Sequence, residues 1–263
     1  MPTLFDYKVY REDSPFWVFA IHDGHQISPE VAPYLSIDEK DRLREEDPYT
    51  ASMAELPVNR YVVGTSRFQL DINRKQEASV YHSPELAWGL TVWKSQTPAN
   101  LQEQLYDDYS KAYDKIDSLI QETIDTHGFF VVLDIHSYNA KRSGPDADID
   151  TEADPQINLG SHYNKPAWRH VIDHFMQSVS QQKLLDEPID IRENVKFKGG
   201  HLAQHLLEKF GDKGCVLSVE FRKDFMDEWT GIPYTPVIQA CKQLLMHALQ
   251  DLQKMELQHG VAR

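Results

Sequence analysis

Three stretches of this chain are apolar almost without interruption, and each ends on a chemically capable residue. Residues 16–21 (FWVFAI) stop at His22, residues 129–135 (FFVVLDI) stop at His136, and residues 215–220 (CVLSVE) end in Glu220 itself. Short continuous apolar runs bounded by turn signals suit strands buried on both faces, as in a sheet covered by helices. Residues 61–64 and 68–72 are rich in β-formers and predict two more strands, the second delivering Asp71-Ile72-Asn73-Arg74. Residues 90–93 are a further candidate.

Between these runs the period changes. Leu101, Leu105, Tyr109, Ala112, Ile116, Leu119, Ile120 and Ile124 recur at steps of three and four, which predicts a long helix over residues 98–127 capped by Gly128. Helices are also predicted over residues 166–182 and 200–210, from Pro233 toward Leu257, and briefly over residues 49–56 between Pro48 and Pro57. Residues 34–47 (YLSIDEKDRLREED) read as a polar connection. Residues 139–155 form a long acidic loop, and loops of that length in a compact domain are usually functional, so it is expected beside the site. Strands alternating with helices imply one three-layer α/β/α domain over residues 1–263, with a central mixed sheet and helices on both faces.

In open α/β sheets ligands bind at the C-terminal edge of the strands, which is where His22, His136 and Glu220 fall. Two histidines and one carboxylate, with a further position open, form a donor set for catalytic zinc. The carboxylate is expected from Glu45-Glu46-Asp47, an acidic triplet abutting Pro48, with Glu46 and Asp47 as the two candidates. Glu220, facing the ion without binding it, suits a general base that activates water and returns the proton to the leaving amine.

Composition narrows the partners. A formal net charge of -14 disfavours nucleic acid, and no run approaches the roughly 20 apolar residues of a membrane span, so a cytoplasmic protein with neither partner is expected. The 2 cysteines, Cys215 and Cys241, lie in apolar patterns and read as reduced core thiols. Glycine-rich nucleotide motifs and the G-x-S-x-G elbow are missing, which removes the main support for nucleotide and serine-hydrolase chemistry. His201 and His205, like His170 and His174, stand four apart on predicted helices, yet neither pair completes H-E-x-x-H. His201, beside Gly199-Gly200, is kept as a substrate contact.

The residues in their order resemble the N-formylglutamate amidohydrolase family, related to the zinc carboxypeptidases and to the aspartoacylase/succinylglutamate desuccinylase group. The resemblance runs from His22-Asp23-Gly24 through Arg44-Glu45-Glu46-Asp47, Asp71-Ile72-Asn73-Arg74, Asp134-Ile135-His136-Ser137, Leu159-Gly160 and Lys198-Gly199-Gly200 to Glu220. Relatives usually carry His-Ser-Gly where this chain has His22-Asp23-Gly24. The resemblance implies a zinc exopeptidase-like (phosphorylase/hydrolase-like) fold and one zinc ion per chain on His22, His136 and an acidic residue between them. It further implies Asn73-Arg74 as the clamp on a substrate carboxylate and Glu220 as base. A guanidinium fork binds a carboxylate bidentately, so the Arg74 assignment also stands on its own chemistry, and Arg67 is a candidate to stabilise the oxyanion. The implied reaction is hydrolysis of the amide bond of a small anionic N-acyl amino acid such as N-formylglutamate. The alternatives are a carboxypeptidase-like small-peptide hydrolase and a non-catalytic carboxylate- or metal-binding protein.

Overall fold

The computed structural model describes residues 3–94 and 97–255. In chain order the elements are β1 (Tyr7–Tyr10), β2 (Phe16–Ala20), α1 (Glu39–Glu45), α2 (Thr50–Met53), β3 (Asn59–Val63), α3 (Ala99–His127), β4 (Phe130–Tyr138), β5 (Ile157–Gly160), α4 (Arg169–Ser180), β6 (Lys183–Leu184), β7 (Glu187–Pro188), β8 (Ile191–Glu193), α5 (His201–Phe210), β9 (Gly214–Arg222) and α6 (Thr235–Lys254). A seven-stranded sheet has the order β1-β3-β2-β4-β9-β5-β8. Its centre, β3-β2-β4-β9, is parallel, while β1 and β5 run antiparallel to their inner neighbours, so the sheet is mixed.

Side-chain alternation divides the core between two faces. Phe16, Val18 and Ala20 of β2 join Val131, Leu133 and Ile135 of β4 in a cluster with α4 and α6, whereas Trp17, Phe19, Phe130 and Val132 pack with α3 and α5. Both faces are thus covered, which is why β2, β4 and most of β9 read as unbroken apolar runs. Helix α3 ends as expected at Gly128, whose φ of 81° is a left-handed cap.

The departures from expectation are local. Residues 68–72 are not a strand: Gln69 N and Leu70 N donate to Ser66 O at 3.0 and 3.3 Å, and the backbone turns. Phe68, Leu70 and Ile72 are buried, as are Gln69 and Asp71 between them, but no neighbouring strand supplies a ladder. Residues 90–93 contribute only an isolated bridge between Leu35 and Trp93. The stretch taken as a polar connection contains α1, started by Asp38, whose carboxylate accepts from Asp41 N at 2.8 Å. The helix after Pro48 is one turn, Thr50–Met53. The final helix ends at Lys254, and Leu257 lies outside the described residues.

Candidate active site

Strand parity brings the chemistry to one face. On β4 the even positions Phe130 and Val132 meet the α3/α5 layer, and the same face continues with Asp134 and His136. On β9, Val216 is followed on its face by Ser218 and Glu220. The parallel register sets His136 beside Glu220 and Asp134 beside Ser218. The face therefore changes from apolar to polar where the helices give way to a cavity of about 620 Å³ lined by His22, Asp47, His136 and Glu220.

Asp47 sits between the two histidines. Its Oδ2 lies 3.3 Å from His22 Nδ1 and 3.0 Å from His136 Nδ1, and Ser137 Oγ donates to Oδ1 at 3.2 Å. All three residues are buried and offer donor atoms within 4.8 Å of one another, the one such group among the described residues. Ligands held about 2.1 Å from a tetrahedral zinc ion lie roughly 3.4 Å apart, so the contacts of 3.0 and 3.3 Å match the edges of such a site. Behind the two histidines stand two more carboxylates: His22 Nε2 meets Asp71 Oδ1 at 2.8 Å, and Asp134 Oδ2 lies 3.0 Å from His136 Nε2. The second contact is too far off the N–H axis to count as an aligned hydrogen bond, so Asp134 acts on His136 chiefly as a charge. Each imidazole thus has Nδ1 on Asp47 and Nε2 beside a further acid, an arrangement that suits a metal-binding histidine.

The local charge calls for a cation. Burial opposes ionisation of His136, yet Asp134, Glu220 and Asp47 hold its imidazolium well above the usual histidine range. Asp47 is held low by the two histidines against its own desolvation. Asp71 is held well below the carboxylate range by Arg67 and His22, again against burial. Burial pushes Glu220, partly open to the cavity, up to about 8, with His136 pulling it down and Asp47 adding to the rise. Four carboxylates converging on two imidazoles, with Arg67 as the nearest guanidinium, are a donor set that suits a divalent ion.

Of the two acidic candidates only Asp47 reaches the histidines, and Glu46 is corrected. Glu46 is the C-cap of α1, and its carboxylate accepts from Ser66 Oγ, contacts His25 Nδ1 and lies 3.6 Å from Arg42 Nη1. The acidic triplet straddles the end of α1 instead of opening a helix, so Glu45 and Asp47 enter the cavity lining while Glu46 turns away.

The cavity wall carries the substrate candidates. Arg67 is buried, donating Nη2 to Asp71 Oδ2 at 2.8 Å and Nε to Tyr81 Oη at 3.1 Å. Its Nη1, 3.5 Å from Glu45 O, is the least committed of its nitrogens. Arg74 has a side chain 41% exposed, stands 3.9 Å from Asp71, and among the described residues its guanidinium donates no hydrogen bond. Asn73 Oδ1 accepts from Leu202 N at 3.1 Å, which leaves its amide NH₂ for a ligand. A Cβ on Gly200 would lie 2.2 Å from Asn73 Oδ1, so this glycine is what lets α5 begin against Asn73. His201 also lines the cavity, with Nδ1 buried and unpartnered and burial holding the ring neutral. Of the remaining paired histidines, His205 Nε2 meets Asp117 at 2.8 Å and His170 Nδ1 meets Ala167 O at 2.9 Å, while His174 Nε2 is buried without a hydrogen-bond partner among the described residues.

Several contributors escaped the sequence reading. Asp71 and Asp134 were visible only as parts of motifs, although an acid two residues before a strand histidine shares its face and signals a partner behind it. Trp88 was silent: it occupies a left-handed backbone at φ 54° and lays its indole 4.9 Å from the Arg67 guanidinium. Lys223, buried at the end of β9, gave no signal.

An α/β sheet thus gathers histidines and acids at its C-terminal edge in a group that could hold a metal ion. The profile of the N-formylglutamate amidohydrolase family matches residues 14–226, and the chain belongs to that family. It is accordingly a hydrolase that acts on an amide bond. A solved N-formylglutamate amidohydrolase from Ralstonia eutropha JMP134 superposes with a TM-score of 0.73 at 11% identity, covering 94% of this chain and 98% of the other. The gene product Atu2144 from Agrobacterium tumefaciens gives a TM-score of 0.67 at 14% identity over 95% and 96% of the two chains. At such identities the likeness is one of fold. A metallo-carboxypeptidase from Pseudomonas aeruginosa, at a TM-score of 0.38, 14% identity and 94% and 61% coverage, is too remote to argue from. No curated protein matches.

Proposed function

We propose that this chain is a zinc-dependent hydrolase of the amide bond in small N-acyl amino acids such as N-formylglutamate, with one ion per chain held by His22, Asp47 and His136. The observation that carries the reading is the convergence of these three donors beside Glu220, in a cavity that also holds Arg67 and Arg74. Among the described residues no helix is long and apolar enough to cross a membrane. The reduced cysteines suit a cytoplasmic setting.

When bound, zinc polarises the scissile carbonyl as a Lewis acid and makes the attacking water more acidic. The rest of the chemistry belongs to the chain. Arg74, with Asn73 beside it, grips the substrate carboxylate, and His201 contacts the substrate from the start of α5. Glu220 takes a proton from the attacking water, then gives it to the leaving amine. A carboxyl raised by burial suits the half of that exchange in which it gives a proton to the amine, and a bound cation nearby would favour the ionised form that the first half needs. Arg67, held by Asp71 and Tyr81, presents a fixed cation to the oxyanion, so little reorganisation is needed as charge develops.

The reading is tested directly. Protein dialysed against a chelator is expected to lose N-formylglutamate hydrolysis and to regain it with about one equivalent of zinc per chain. Full activity in verified metal-free protein sinks the proposal. Arg74→Lys is expected to raise KM on the order of 10- to 100-fold with a smaller change in kcat, because an ammonium replaces a bidentate fork by a point charge. Steady-state kinetics on N-formylglutamate decide this, and an unchanged KM places the clamp elsewhere.

A further inference from the structure

Lys223 is a buried cation of the cavity wall, 2% exposed, that makes no ion pair among the described residues. Its Nζ donates instead to two backbone carbonyls, Arg44 O at 2.5 Å and Glu46 O at 2.7 Å. Burial pushes the Lys223 amine down to about 8, while the carboxylates of Asp47, Glu45 and Glu228, none within ion-pair distance, favour its charged form. The two carbonyls add to that support. They belong to the last turn of α1 and its C-cap, where main-chain oxygens lack intrahelical partners and the helix dipole is negative.

The same turn leads straight into Asp47. Residues 44–47 are tied to the ends of three central strands: Lys223 follows β9, Asn139 Nδ2 donates from just beyond β4 to Arg44 O at 2.9 Å, and Asp47 N donates to His22 O, past β2, at 2.9 Å. Lys223 is itself seated by its N–H on Tyr138 O at 3.0 Å. All three ties therefore come from segments that also carry Glu220, His136 and His22. Asp47 arrives from a separate element and needs an independent anchor to stay within 3.0 and 3.3 Å of the two imidazoles. Hydrogen bonds within the Asp47 side chain's own surroundings, such as that from Ser137, orient the carboxylate but do not fix its backbone.

We infer that Lys223 is a positioning residue that sets the metal affinity of the His22, Asp47 and His136 site by pinning residues 44–46 to the end of β9. The inference rests on the metal reading above. It assigns Lys223 no contact with substrate. Without the ammonium, Arg44 O retains Asn139, whereas Glu46 O, adjoining Asp47, loses its donor, and the Asp47 backbone is left with its N–H on His22 O and its carbonyl on Thr50, a looser hold on its distance to the two histidines.

Chelator-treated wild type, Lys223→Met and Lys223→Ala are titrated with zinc against a chromophoric chelator, and the zinc-free proteins are melted by circular dichroism. Lys223→Met preserves the apolar stem and so guards against a simple packing loss. Both variants are expected to bind zinc about 10- to 100-fold more weakly than wild type, the usual effect of losing support behind a ligand. Because Lys223 borders the cavity, ethylammonium added to Lys223→Ala is expected to restore part of that affinity. A merely structural lysine would lower the zinc-free melting temperature and leave the affinity of the folded protein unchanged, and that result overturns the inference. Wild type that binds no zinc overturns the metal reading itself, and the two failures are told apart by the wild-type titration.

Discussion

Glu220→Gln is expected to fold, to keep its zinc, and to lose roughly 10²- to 10⁴-fold in kcat, the usual contribution of a positioned acid or base. The substitution is nearly isosteric at a position flanked by Val219 and Phe221, both buried, so the strand has no reason to move. His136 and Glu220 are register partners on parallel strands, yet Glu220 is not part of the close group formed by His22, Asp47 and His136. Glutamine neither accepts the proton of the attacking water nor returns one to the amine. The loss therefore falls on kcat, and KM stays close to wild type because Arg74 supplies the ground-state grip. Wild-type turnover in this variant removes Glu220 from the mechanism. Loss of zinc from it makes Glu220 a ligand instead.

The second large effect concerns the ligands themselves. His22→Ala, His136→Ala and Asp47→Asn are each expected to weaken zinc binding by more than the roughly 10- to 100-fold that follows from losing an outer partner. Glu46→Gln serves as the contrast. Its carboxylate is engaged with Ser66, His25 and Arg42, so zinc affinity is expected to stay near the wild-type value even if stability falls. Metal content after dialysis against a graded chelator series reads both. Retention of zinc by the three ligand variants, or its loss only in Glu46→Gln, places the ion elsewhere. The electrostatics point the same way as the geometry. Removing the Asp47 charge takes away one of the acids that raise His136, which weakens the local demand for a cation.

Much of this site was legible because it sits at strand ends. A doubly buried strand writes itself as a continuous apolar run, and the residue where the run stops must lie at an edge of the sheet. His22, His136 and Glu220 were found that way, and so was the layer arrangement, since the alternation of strand and helix leaves few ways to cover both faces. The close approach of Asn73 to Gly200, by contrast, appeared only in the structure. Asp47 was narrowed to two neighbours and no further. Adjacent residues point in different directions, and which one turns inward depended on α1 ending at Glu45, with Glu46 as its cap. That helix was hidden by its composition: EKDRLRE is charged along most of its length and shows no apolar stripe.

What the chain determined by itself is therefore the set of elements whose hydrogen-bonding and burial are written in periodic side chains: the central strands, the long helix closed by Gly128, and the reactive residues at the strand ends. What only the tertiary structure decided is which groups meet across large separations in sequence. Asp71 reaches His22 from 49 residues away, and Lys223 reaches Glu46 O from 177. Neither contact has a local signature, because a carboxylate behind an imidazole and an ammonium on a helix end satisfy partners that the periodicity of their own segments does not register. The same holds for residues 68–72, whose β-forming side chains read as a strand while the backbone, with no ladder partner beside it, turns to deliver Asp71, Asn73 and Arg74 to the site.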